Sequence, residues 1–379
     1  MAKDRLLFVD NLRTLVIVLV ILAHLSITYG GEGGWYYKEG PKGTISSILL
    51  TWFNATCQSF FMGLLFLLSA YFTADACERK GPRRFAKDRL LRLGIPMLVY
   101  DWALHPLSVC LLMGAGYYGP EASCRAWLGE YFSVFHLGRG PLWFVETLLF
   151  FSLAYLLWRL VIPLKTVTER MDGRCPRDRE IAVLILLLTI ASFIVRFWFP
   201  LGWSLEPFNV QLGFFPQYTA LFVLGIHTYQ HGWLMTIPVK TGRRWLVVAA
   251  AMILVGFPLL FVLGGAMRGN LAPFKGGLYW QSLALALWEH ATGIALMITL
   301  LALFRERFNR QNRLTAEASA SSYTVYVIHA PVIILGALAV RHVTTYPLLK
   351  FVLVSLVLVP LCFLLAAGIR RLPGARRVL

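Results

Sequence analysis

Residues 12–30 read LRTLVIVLVILAHLSITYG, an unbroken apolar run that opens beside one arginine and carries one histidine. As an α-helix at about 1.5 Å per residue it would be roughly 28 Å long. That is close to the ~30 Å hydrocarbon thickness of a bilayer. Nine further runs of similar length and character follow, at 48–72, 91–113, 142–163, 181–199, 209–229, 245–264, 280–303, 322–340 and 348–369. The sequence therefore predicts an all-α, polytopic integral membrane bundle of about ten transmembrane helices.

Composition agrees with that reading. Of 379 residues, 58% are hydrophobic and 15% charged, against roughly 25% charged in a soluble domain. A water-soluble core could not hide so many apolar runs. The net charge of +17 would suggest nucleic acid in a soluble protein, but here the basic residues sit between spans, so no nucleic-acid partner is expected and the bilayer is. The start of the chain, Lys3 and Arg5 followed by the apolar stretch Leu15 to Ile27, imitates a secretory leader. It lacks a small-x-small cleavage site and many spans follow it, so it reads as the first span.

Lys and Arg also orient the bundle. With the N-terminus inside, the inner segments and their flanking turns hold 27 of the 36 basic residues and the outer loops 9. Every inner segment has at least 3 and no outer one more than 2. By the positive-inside rule both termini are expected in the cytoplasm. The outer loops are rich in glycine and aromatic residues, among them Trp35, Tyr36, Tyr37, Tyr117, Tyr118, Trp127 and Tyr131. Such rings commonly anchor a protein at the bilayer interface, and they also stack on sugars. The six cysteines show no metal-type spacing, so no metal is expected. Cys124 lies in a predicted outer loop and Cys110 near the outer end of its helix, a placement that permits a disulfide between them without calling for one.

Ionisable residues at membrane depth are costly and tend to mark function. On the first helix Asp10, Arg13 and His24 stand 3 and 11 residues apart. Eleven steps end about 20° past three full turns, so Arg13 and His24 share a face, ~16 Å apart along the axis, with Asp10 about 60° away. A three-residue spacing makes Asp10 a partner for Arg13. Histidine titrates near neutrality and can act as a general base; the bland alternative is a histidine hydrogen-bonded across helices. Arg89 and Arg92 begin the third span on one side of a helix, and their forks suit phosphate oxygens. Ordinary inside-positive charge explains the neighbouring Arg79, Lys80, Arg83, Arg84 and Lys87 well, and Arg92 less well. Further ionisable or polar groups fall in other spans: Asp101 with His105, a pair that would satisfy itself; Trp143 with Glu146; Glu289 with His290; and Tyr326 with His329. Together they predict a shared polar cavity.

Several of these stretches carry a likeness. Phe8-Val-Asp-Asn-Leu-Arg13 followed by ten residues and His24, the Arg89-x-x-Arg92 pair, Phe60-Phe61 with Leu67-Leu-Ser-Ala70-Tyr71-Phe72, Pro141-Leu-Trp-Phe144 and Tyr323-Thr-Val-Tyr326-Val-Ile-His329 resemble the acyltransferase-3 family of integral membrane O-acyltransferases. The likeness extends over nearly the whole chain, and the overall pattern is similar to the branch that modifies periplasmic glucans with succinyl groups. It departs at Ser69-Ala70, where the family usually has serine-glycine. The resemblance implies one membrane-embedded acyltransferase domain over 1–379, without a fused soluble domain, in a bacterial inner membrane. It implies acyl-CoA as co-substrate, acetyl-CoA or succinyl-CoA, held by Arg89, Arg92 and Arg13. A hydroxyl acceptor, usually a saccharide, would react at His24. Glu146, Trp143, Glu289, Tyr326 and His329 would support the base or the acceptor. A saccharide transporter or flippase would use a similar cavity without chemistry, but matched repeats and paired broken helices, which mark many transporters, are not visible. A sensor or channel fits less well, because few acidic residues lie in the spans.

Overall fold

The computed structural model describes residues 5–40, 43–162 and 175–379. Ten long helices dominate: α1 (Leu7–Thr28), α2 (Thr44–Lys80), α3 (Pro82–Gly114), α4 (Trp143–Val161), α5 (Asp178–Val195), α6 (Phe215–His231), α7 (Val239–Leu263), α8 (Trp280–Arg307), α9 (Arg313–Ala339) and α10 (Pro347–Ile369). Among the described residues the only β pairing is a lone bridge between Leu205 and Val210.

Eight of the ten are long and apolar enough to cross a membrane. The other two expected spans are helices of 18 and 17 residues, α5 and α6. At 1.5 Å per residue they are about 25–27 Å long, and Asp178, Arg179 and Glu180 occupy the first turn of α5. Both still link the same two ends of the bundle as their neighbours. At one end the loops expected outside meet: the Lys38 amide donates to the Tyr117 hydroxyl, Arg341 to the Ala115 carbonyl, and the Leu137 and Leu201 amides to the Pro207 and Lys275 carbonyls. At the other end Asn11 donates to the carbonyls of Phe308 and Arg310, Tyr229 to Glu78, and Arg305 to the Ile237 carbonyl. The chain thus alternates between ends ten times. The protein is a polytopic helical membrane protein.

Burial sorts the helices. α2, α8 and α9 are interior, whereas α7 and α10 expose most of their apolar surface. Lipid tails are as apolar as leucine, so close packing rather than hydrophobic exclusion holds such helices together. Gly293 of α8 shows how: a Cβ there would lie 2.1 Å from the Ser59 carbonyl of α2, so only glycine permits this approach. α1 packs between α2 and α9 and carries its polar residues into the interior.

Prolines shape two helices. π-Helical turns at Leu90–Gly94, Tyr100–Leu104 and Met252–Gly256 each end two residues before a proline, Pro96, Pro106 and Pro258. Proline has no N–H and crowds the carbonyl four residues earlier; widening the turn relieves the clash. The freed carbonyls find side chains from other elements. The Tyr323 hydroxyl donates to Arg92 at 2.7 Å, Tyr131 to Asp101 at 2.8 Å, and the Trp52 indole to Ile253 at 3.1 Å. Burial pushes the Tyr131 hydroxyl up to about 12, with the Asp101 charge adding to the effect, so it remains a donor at neutral pH. Cys110 and Cys124 are joined in a disulfide, which ties α3 to the two-turn helix Cys124–Tyr131.

Candidate active site

The site begins on α1. His24 points inward, with Trp35 lying flat on its ring at a centroid distance of 3.8 Å and 13° between planes. His329 of α9 lies beside it, 5.2 Å away and also nearly parallel. Trp35 and His329 are 6.2 Å apart. Three flat rings from a loop and two helices thus form one cluster. The His329 Nδ1 faces the Tyr326 carbonyl at 2.6 Å. A carbonyl only accepts, so Nδ1 carries the proton and, in the neutral ring, Nε2 is a lone pair. His24 Nδ1, His329 Nε2 and the Trp35 indole N–H are all buried without a hydrogen-bond partner.

A turn over residues 138–141 lies against Tyr36 and Tyr326, the neighbours of this cluster. Asp101 of α3 accepts from the Gly138 and Arg139 amides, both at 2.9 Å. Asn209 donates to the Gly138 and Gly140 carbonyls, and the Tyr326 hydroxyl to that of Pro141. The turn demands glycine twice. Gly138 and Gly140 have φ of +64° and +54°, and a Cβ would strike Glu146 at the first and the Tyr36 hydroxyl at the second. Tyr36 bonds to Tyr100 at 3.1 Å and to the His105 ring at 2.6 Å. Burial raises the Tyr36 hydroxyl above the usual tyrosine range, with the Tyr100 bond opposing. Asp101 and His105 therefore do not pair with each other as their spacing suggested: the π turn between them sends one to the turn and the other to the Trp35 loop.

The arginines gather at the other end of α1. The Arg13 guanidinium lies 4.9 Å from the centroid of Phe72. Arg89 donates to the Thr73 hydroxyl at 3.0 Å and lies over Phe85. Phe72 and Thr73 are adjacent on α2, which brings Arg13 and Arg89 to one place. The two arginines of the R-x-x-R pair differ, however: Arg89 is half-buried, whereas Arg92 is exposed and lies within a π turn. Asp10 corrects an expectation. Among the described residues its ion pair is with Arg5 at 2.6 Å, not with Arg13, which turns inward onto Phe72.

The remaining predicted residues divide into two groups. Glu146 is fully buried and neither carboxyl oxygen has a partner; it presses on the turn at Gly138. Trp143 stacks on Tyr218 at 5.5 Å. Tyr326 lies 5.6 Å from His329 and 5.9 Å from Phe144. Glu289 stands apart, in a buried ion pair with Arg196 of 2.6 Å, beside a His290–Ser192 hydrogen bond of 2.8 Å. Sequence reasoning placed Trp35 among interface anchors and passed over the 138–141 turn. The signals available were the glycines flanking Trp35 and the Gly-Arg-Gly-Pro string.

Comparison with known proteins adds an independent line. The acyltransferase-3 model, described as an acyltransferase domain, matches residues 6–367. A glucans biosynthesis protein C of Escherichia coli is 34% identical over 91 residues, 24% of this chain and 22% of the relative, and the protein of that name from Shigella dysenteriae gives the same figures. In those matches the chain spans less than a quarter of the relative's length. Another Escherichia coli strain has a glucans biosynthesis protein C 23% identical over 351 residues, 89% of this chain and 85% of the relative. No solved structure matches. Since the family model spans almost the whole length, the chain belongs to the acyltransferase-3 family of membrane acyltransferases.

Proposed function

We propose that the protein moves an acetyl or succinyl group from cytoplasmic acyl-CoA to a hydroxyl of a saccharide-type acceptor, with His24 as general base. What supports this reading is α1 itself, which carries Arg13 on Phe72, next to the Thr73 that Arg89 holds, and, ~16 Å further along, a histidine at a buried ring cluster. The guanidinium groups would hold the phosphates of CoA while its arm reaches between helices towards His24. His24 takes the hydroxyl proton as the oxygen attacks the thioester carbonyl. The new C–O bond forms, the C–S bond breaks, and the leaving thiolate takes the proton from His24 to give the CoA thiol. Proton transfer by a positioned base contributes typically 10²–10⁴-fold.

On this reading residues 1–379 act as one membrane-embedded unit in the bacterial inner membrane, both termini cytoplasmic, with Glu146, Trp143 and Tyr326 bordering the acceptor. The family match does not favour a flippase. The test is acyl-CoA binding to purified protein, comparing acetyl- and succinyl-CoA and the variant Arg89→Ala/Arg92→Ala. Saturable binding lost in the variant is expected. A well-folded sample that binds neither donor would overturn the proposal.

A further inference from the structure

The ring cluster leaves three polar atoms without partners in a place where that is expensive. Burying a polar group without a hydrogen bond costs about 1–3 kcal/mol in proteins, and such groups call for an explanation in each case. The atoms differ in what they can do. The Trp35 indole N–H only donates. His329 Nε2 only accepts, because the Tyr326 carbonyl holds the proton on Nδ1. Both are buried and carry no partner, and their rings lie 6.2 Å apart.

One chemical group satisfies both at once. A hydroxyl donates its proton to a lone pair and accepts from an N–H. A carboxylate would suit the indole and offer nothing to Nε2; an ammonium would do the reverse. The hydroxyl that reacts belongs to His24, so this pair has a different one to read. We propose that Trp35 and His329 bind a second hydroxyl next to the reacting one, so that the site takes a vicinal polyol rather than an isolated alcohol. This rests on the acyl-transfer reading above and assigns two residues to its acceptor. Trp35 also covers the ring of His24, riding on a loop exposed at Glu32, Gly33 and Gly34.

The experiment compares acceptors across variants in detergent, with acetyl- or succinyl-CoA as donor. The acceptors are methyl glucoside, its monodeoxy analogues and propanol. The variants are Trp35→Phe, which keeps a flat ring without the N–H; His329→Phe; and His329→Gln, which keeps an acceptor atom. For the unmodified protein, one deoxy analogue should lose about tenfold or more in kcat/KM, as expected for one or two hydrogen bonds. Trp35→Phe and His329→Phe should lower kcat/KM for methyl glucoside about tenfold more than for that analogue, and His329→Gln should restore part of the difference. A parallel fall for both acceptors would reduce the two residues to packing and overturn the proposal. Propanol reacting as well as methyl glucoside would overturn it too, as would no transfer to any acceptor by protein that still binds acyl-CoA. Loss of acyl-CoA binding itself sinks the acyl-transfer reading instead.

Discussion

Two buried polar regions of this molecule look alike on paper and differ in the fold. Around α5 and α8, Glu289 and Arg196 neutralise each other at 2.6 Å, Arg196 also donates to the Gly213 carbonyl, and His290 bonds Ser192. Around α1, α4 and α9, His24 Nδ1, His329 Nε2 and both oxygens of Glu146 are buried with no partner. In the first region each ionisable group has one anchor within the protein, although Arg196 Nη1, Glu289 Oε1 and His290 Nδ1 keep no partner. In the second, Glu146 has no hydrogen bond and His24 none on Nδ1, while His329 keeps the one to the Tyr326 carbonyl. The two regions differ most at their carboxylates: Glu289 is ion-paired with Arg196, and Glu146 makes no hydrogen bond or ion pair among the described residues.

That contrast can be broken most severely at His24. His24→Ala should lower acyl transfer about 10²–10⁴-fold, with membrane insertion and elution as a folded species unchanged. Substantial residual turnover would remove the base from the site and erase the distinction between regions. Next comes Glu289→Gln, which leaves Arg196 buried and unpaired. A loss of about 3–5 kcal/mol is expected, read as a lower thermal unfolding midpoint in detergent. Glu146→Gln, by contrast, breaks no internal bond and should leave the midpoint nearly in place. If both variants unfold alike, the comparison fails.

A third effect is smaller. Arg89→Ala should weaken acyl-CoA binding roughly 10- to 100-fold, the worth of a charge-assisted hydrogen bond or two. Arg92→Ala, at an exposed position, should cost less. A fall in acceptor affinity alone would move the donor site elsewhere. The smallest effect belongs to Tyr323→Phe, which removes the cap on the Arg92 carbonyl freed by Pro96. About 0.5–1.5 kcal/mol of stability should go, with a modest rise in the Kd for acyl-CoA because the π turn holding Arg92 loosens. An unchanged unfolding midpoint would mean that the carbonyl finds another partner.

Much of the fold was legible because it is set by local pattern. Apolar runs marked ten long helices, eight of them long and apolar enough to cross a membrane. The pairing of Asp10 with Arg13 failed because a three-residue spacing permits a contact without compelling one: Arg5 reaches Asp10, and Phe72 draws Arg13 inward. Asp101 and His105 failed for a related reason, since Pro106 widens the helix just where their spacing assumed 3.6 residues per turn.

By itself the amino-acid sequence determined that this chain lives in a membrane and folds into long helices, eight of them long and apolar enough to cross it. Those properties depend on hydropathy summed over twenty residues and on the fixed pitch of a helix. Only the tertiary structure decided that Trp35 leaves its loop to lie on His24, that His329 offers a lone pair there, and that Glu289 is consumed by Arg196. A hydrogen bond between side chains hundreds of residues apart depends on how helices pack, and packing among apolar surfaces that all resemble lipid is written in shape, not in spacing along the chain.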